Sequence, residues 1–236
     1  MLKLNIVYED KNILVINKPA GLIVHPKNKN DKEETLTDLL LKYYSPIKNV
    51  GDSPLRPGIV HRLDKNTSGL MVVAKNQKIF EYIKNQFKNR ILEKKYFALV
   101  KGTVKNKKGI IATKLGKYRG KQTIRIKNQE SRIKNFKEAV TEYKVIKRYK
   151  DYTLLEVSPK TGRTHQIRVH LASIGHPIIC DKLYGGRKTV CPNNLNRHFL
   201  HAFSLKFNLP NGKIYKFESE MPEDLNRSLP ALLLRP

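Results

Sequence analysis

Apolar and polar positions follow two different periods along this chain. Residues 13–18, ILVINK, form a short apolar run closed by the turn KPAG, after which LIVH at 22–25 resumes extended character. The polar stretch PKNKNDKEE, 26–34, is a loop, and TLTDLLLKYY beyond it has the helical period with Thr35 as N-cap. Three prolines and two glycines make 45–58 a second loop. GLMVVAK, 69–75, reads as a strand, and Asn76 then caps a helix in which Ile79, Ile83 and Phe87 recur every fourth position. The other face of that helix carries Lys78, Lys84, Lys88 and Arg90, placed either to be solvated or to meet phosphates.

Downstream the period shortens toward two. KYFALVKG, GIIATKL, QTIRIK, AVTEYKVIKRY, YTLLEVSP, FLHAFSLKF and KIYKFES all read as strands, and PNG at 210–212 marks a hairpin. One helix interrupts them, THQIRVHLASIG at 164–175, stopped by Gly175. The expected fold class is α+β: a large, mixed, mostly antiparallel sheet flanked by helices. Only 104–137 is weakly patterned, a segment rich in Lys, Asn and Gly that reads as a mobile basic arm. No break in composition marks an appended domain, so 1–236 is expected to be a single domain.

Charge narrows the partner. Lys and Arg number 47 against 20 Asp and Glu, a net charge of +27, which points to a polyanion, and nucleic acid leads. An anionic membrane is disfavoured: the chain has no Trp, no long apolar run and no wide-faced amphipathic helix. The N-terminus MLKLNIVYED meets acids before any apolar leader develops, so a cytoplasmic protein is expected. Cys180 and Cys191 read as a buried thiol and a loop thiol in a reducing compartment.

Several chemistries can be set aside. HRLDKN and VVAK resemble kinase motifs, but in reversed order and without a Gly-rich loop or DFG. Cys180, Cys191, His198 and His201 are separated by ten, six and two residues, which is no standard zinc spacing. His165 and His170 stand about 140° apart around a helix, too far to share a metal. No paired carboxylates suit a two-metal nuclease, and there is no nucleophile elbow or P-loop. No metal or cofactor motif is found. What remains is Asp64, set between Arg62 and Lys65 in RPGIVHRLDKNTSGLMVVAK. One reading is a neutralised surface acid. The other is a carboxylate kept ionised by neighbouring cations and suited to nucleophilic attack. A buried Asp64 would require a cation from elsewhere, and TGRTHQIRVH offers Arg163 and Arg168.

Five blocks carry a resemblance. YEDKNILVINKPAGLIVHP, RPGIVHRLDKNTSGLMVVAK, KKYFALVKG, KTGRTHQIRVHLASIGHPIICDKLYG and RHFLHAFSLKFNLP occur in this order and resemble the RluA-type family of RNA pseudouridine synthases over about residues 4–224. The resemblance implies the pseudouridine-synthase fold with its active-site cleft across the sheet, and conversion of uridine to pseudouridine in structured ribosomal or transfer RNA. It implies that Asp64 is the catalytic aspartate, Tyr96 the active-site tyrosine that packs on uracil, and Arg168 the arginine paired with the aspartate. Arg62 matches the arginine that enters the RNA stack, and Leu200 an apolar residue of the uracil pocket; Arg163 and His165 are expected to contact substrate. A monomer without nucleotide cofactor is expected. The family often has Gly at the position of Cys180, and no counterpart of the S4 domain of many relatives is expected in 1–236. The alternative is a catalytically idle RNA-binding or RNA-folding protein on the same scaffold.

Overall fold

The computed structural model describes residues 3–28, 30–118, 121–124, 134–186, 189, 191–192 and 195–229. Among them run ten strands against four α-helices and one 3-10 turn, the α+β content expected. First come β1 (Ile6–Glu9), β2 (Ile13–Lys18), α1 (Leu36–Tyr43), the 3-10 turn (Ser45–Asn49), β3 (Ser68–Ala74) and α2 (Gln77–Lys88). Then follow β4 (Glu93–Lys101), β5 (Lys108–Tyr118), β6 (Lys121–Ile124), β7 (Lys134–Arg148), β8 (Tyr152–Pro159) and α3 (Gln166–Ser173). β9 (Leu200–Asn208), β10 (Ile214–Glu218) and α4 (Glu223–Asn226) close the chain. These elements fall into two compact units, Met1–Lys94 with Ala202–Glu220, and Lys95–His201 with Met221–Pro236.

In the first unit the strand order is β1-β2-β3-β9, with β10 hairpinned onto β9. β3 is buried at every position, so its sequence shows no alternation: a strand covered on both faces has no polar side. It pairs antiparallel with β2, Val15 opposite Val72 and Lys18 opposite Gly69. Gly69 is obligatory twice over. Its φ is +126°, and a Cβ there would lie 2.2 Å from the carbonyl oxygen of Ala202. The two predicted caps form as the side chains require. Thr35 and Asp38 make a reciprocal capping box on α1, and the Asn76 side chain accepts the N–H of Ile79 on α2. α2 buries Ile79, Phe80 and Ile83, and leaves Lys78, Lys84, Lys88 and Arg90 exposed.

In the second unit the order is β4-β8-β7-β5-β6, all antiparallel. α3 packs Val169 against Leu115 of β5 and Ala139 of β7. Every residue of α3 from Gln166 to Leu171 is buried, so its polar members need partners inside the protein. Gln166 finds four: its amide donates to the Val140 carbonyl and the Thr141 hydroxyl, both at 2.9 Å, and its oxygen accepts from the Thr161 hydroxyl and the Arg163 N–H. The two hydroxyls of Thr141 and Thr113 take the ring nitrogens of His170 at 2.9 and 3.3 Å.

Three local expectations change. Among the described residues LIVH contributes a single bridge, Ile23 to Thr35, and the carbonyl of its first residue, Leu22, accepts from the Lys18 ammonium. The helix expected over 164–175 is shorter, since His165 adopts the left-handed conformation at φ 53° and Gly175 ends it. Within 104–137, β5, β6 and the start of β7 occupy described residues, while 119–120 and 125–133, with the end of QTIRIK, lie outside them. No helix among the described residues is long and apolar enough to cross a membrane.

Candidate active site

In the first unit, Leu63 is buried, Arg62 is exposed and Asp64 is half-buried. The Asp64 carbonyl accepts the N–H of Thr67 at 3.0 Å, closing a turn that delivers buried Thr67 and Ser68 into β3. The next carbonyl, that of Lys65, accepts from the Gly21 N–H at 2.9 Å and from the Lys18 ammonium at 3.1 Å. Lys18 is wholly buried, and its three hydrogens match three carbonyls, those of Pro19 (2.7 Å), Leu22 (2.8 Å) and Lys65. Lys18 therefore welds the KPAG turn to the Asp64 turn. Of the two cations beside Asp64 in sequence, Lys65 turns outward onto Glu33.

Removing the Lys18 ammonium takes this donor from the Pro19 and Leu22 carbonyls and leaves the Lys65 carbonyl with the Gly21 N–H. Lys18→Met is expected to cost about 3 kcal/mol of stability and, if Asp64 is catalytic, to lower kcat about tenfold or more with KM little changed. Lys18→Arg should not rescue it, because a planar fork does not meet three convergent oxygens. Denaturant titration with steady-state kinetics checks both; a variant with wild-type kcat would remove Lys18 from any positioning role.

In the second unit, a polar cluster centres on Arg168, only 8% exposed. Its Nε and Nη2 donate to the two oxygens of Asp181 at 2.7 and 2.8 Å, a bidentate fork. Asp181 is fully buried and also accepts the N–H groups of Leu183 and Tyr184. Burial pulls the Asp181 pKa up, but the Arg168 hydrogen bonds and charge and the two backbone donors outweigh it, so the carboxyl titrates below its ordinary value. The Arg168 guanidinium lies over the Tyr184 ring at 5.1 Å, and the Tyr184 hydroxyl meets Nδ1 of His165 at 2.9 Å. The left-handed backbone at His165 is strain localised beside this cluster. Tyr96 is buried on β4 opposite Val157, and buried Leu200 opens β9. Arg163 turns away: it is exposed, and its Nε donates to the Glu138 carbonyl at 3.2 Å.

Two histidines near these groups stay neutral. Burial, and next the charge of Lys94, pull His61 down to about 3; its Nε2 accepts the Val72 N–H at 3.1 Å. Burial pulls His170 down to about 4. Between pH 6.5 and these values the unfolded chain binds protons that the folded chain refuses, so stability falls as pH falls, by at most ~1.4 kcal/mol per pH unit per histidine. Denaturation midpoints should drop from pH 6.5 downward and the slope should ease in His170→Asn; a flat midpoint from pH 7 to 5 would contradict this.

The structure thus joins Arg168 to His165 through Tyr184 and sets Arg163 outside that group. Sequence reasoning missed Lys18, Asp181 and Tyr184. Acids are scarce in this chain, 20 against 47 Lys and Arg, and Asp181 in IICDKLYG follows an apolar run, a signal that could have found it. The two cysteines are a correction: they are not separate thiols, for Cys180 is joined to Cys191 as a disulfide. No cluster of three or more His, Cys, Asp or Glu able to hold a metal occurs among the described residues.

Comparison with known proteins points one way. A family model described as RNA pseudouridylate synthase matches residues 12–173. The chain is 44% identical over 231 residues to an uncharacterized RNA pseudouridine synthase of Aquifex aeolicus, covering 93% of this chain and 70% of that one. It is 39% identical to ribosomal large subunit pseudouridine synthase D of Vibrio cholerae, covering 95% of this chain and 69% of that one. Among solved structures, human RNA pseudouridylate synthase domain containing 4 superposes with a TM-score of 0.76 at 28% identity, covering 97% of this chain and 92% of that one.

Proposed function

Because the chain belongs to the RNA pseudouridylate synthase family and isomerises uridine to pseudouridine in RNA, we propose that its target lies in large-subunit ribosomal RNA and that Asp64 starts the reaction. The name of the Vibrio cholerae relative, a ribosomal large subunit pseudouridine synthase, supports the first part. The observation that carries the second is the Asp64 turn, held by Lys18 and Gly21 through the adjacent carbonyl.

The reaction breaks the N1–C1′ bond of uridine, turns the uracil while it stays bound, and forms a C5–C1′ bond, after which C5 loses its proton. Atoms and electrons balance within the substrate, so we assign no nucleotide cofactor. Asp64 assists cleavage as a carboxylate. Arg168, held in place by Asp181, is assigned a catalytic role as a fixed cation. Tyr96 stacks on the uracil and takes part in moving the C5 proton, with Leu200 as an apolar wall. A uridine in structured RNA must leave its stack at a cost of a few kcal/mol, and Arg62, which is exposed, is assigned to fill the gap. Exposed Arg163 is assigned to phosphate and His165 to substrate orientation. We further propose that 1–236 acts as one catalytic domain, as a monomer in the cytoplasm.

The test is incubation of the protein, with EDTA present, on unmodified ribosomal and transfer RNA, followed by carbodiimide treatment and primer extension. New stops in large-subunit RNA are expected. Stops confined to transfer RNA would move the target there, and none on either RNA would reject the assignment.

A further inference from the structure

Cys180 and Cys191 lie eleven residues apart in sequence with Cα atoms 5.0 Å apart, within the span of a disulfide. The loop they close carries Asp181, which grips Arg168, and Tyr184, which lies against the same guanidinium and holds His165. Cys180 is immediately next to Asp181, 2% exposed, and in the left-handed conformation at φ 57°, a backbone that favours glycine. Cys191 is half-buried and therefore reachable. A buried partner beside a reachable thiol, at the foot of a loop that touches Arg168, is the arrangement of a thiol–disulfide site.

We propose that Cys180 and Cys191 form a reversible disulfide that staples the loop holding Asp181 and Tyr184 on Arg168, and that the stapled form turns over faster. The inference rests on the assignment of Arg168 to the active site. The oxidant is a small-molecule disulfide. The Cys191 thiolate attacks it and expels one thiol, leaving a mixed disulfide; the Cys180 thiolate then displaces the second thiol and closes the Cys180–Cys191 bond. The cysteines lose two electrons and two protons in total, and the small disulfide leaves as two thiols. Closing the loop removes conformations in which Asp181 swings away from Arg168. Reduction restores them.

The test poises the full chain in mixtures of reduced and oxidised glutathione, traps free thiols and measures mass. Three results are expected together. The disulfide fraction rises with the oxidised share; the amides of Leu183 and Tyr184 exchange about fivefold more slowly in the disulfide form; and single-turnover modification is about fivefold faster with RNA Kd unchanged. Cys191→Ser and Cys180→Gly, the latter relieving the strained backbone, should hold the slower rate at every poise. A pair that never closes, amide exchange equal in both forms, or equal rates in both forms would each overturn the proposal. Absence of pseudouridine in both forms would instead reject the assigned function, and the amide exchange would still decide whether the pair staples the loop.

Discussion

Asp64→Asn is expected to bind unmodified RNA with the wild-type Kd and to form no pseudouridine. The substitution keeps the size and most hydrogen-bonding capacity of the side chain and removes only its charge and nucleophilicity. Loss of a reacting carboxylate should lower the single-turnover rate by about 10³-fold or more. Binding is carried elsewhere: the formal charge moves from +27 by one unit to +28, and the phosphate contacts of the Lys and Arg surplus remain. Asp64→Glu should fare little better, since one extra methylene displaces the oxygens by more than catalytic alignment tolerates. The turn itself should survive both changes, because it is held by the backbone groups of Asp64, Lys65 and Thr67 and by Lys18. The measurement is filter binding at several salt concentrations alongside single-turnover assays with excess enzyme. A rate within tenfold of wild type would remove Asp64 from the chemistry, and a variant that loses binding while keeping its rate would make it an RNA contact instead.

The parts of the fold that could be read from the chain are those fixed by near neighbours. Thr35 and Asn76 cap helices with side chains three residues from the amides they accept, and the β9–β10 hairpin turns where PNG places a glycine at φ +77°. β2 and β3 were legible as apolar runs. The start of α3 was not, because His165 enters the left-handed region that Gly or Asn usually occupies, and its hydrogen bond to Tyr184 spans nineteen residues. Distance also hid the supports of the site. Lys18 reaches Lys65 across 47 positions, and Arg168 reaches Asp181 across thirteen. A buried lysine offers no pattern in one dimension, since its burial depends on carbonyls that the turn and the loop bring to it. The resemblance named the candidate reacting residues in advance; the side chains packed around them became visible only when the chain was folded.

Asp181→Asn is the variant whose effect should reach both stability and catalysis. The Arg168 side chain is buried with the Asp181 carboxylate as its bidentate partner, so neutralising Asp181 takes a charged, doubly hydrogen-bonded partner from a buried cation, at a cost of about 3–5 kcal/mol. For a chain of this size that lowers Tm by about 10 °C. The amide also has a single oxygen where the wild type uses one oxygen for Arg168 Nε and the other for Nη2 and the amides of Leu183 and Tyr184; its NH2 group faces a donor. Catalysis should fall about 100-fold in kcat with little change in KM, since Arg168 loses its orientation. The acid limb separates this pair from the histidines. With its pKa below the ordinary value, the Asp181 carboxylate contributes stability that is fully present above about pH 4 and is lost only as pH falls through that lowered value, whereas the histidine loss begins at 6.5. A paired replacement distinguishes structure from chemistry: Asp181→Leu with Arg168→Met should recover most of the stability, as apolar substitutes for buried ion pairs do, and none of the activity. If the double variant regained turnover together with stability, the Arg168–Asp181 pair would be scaffold alone.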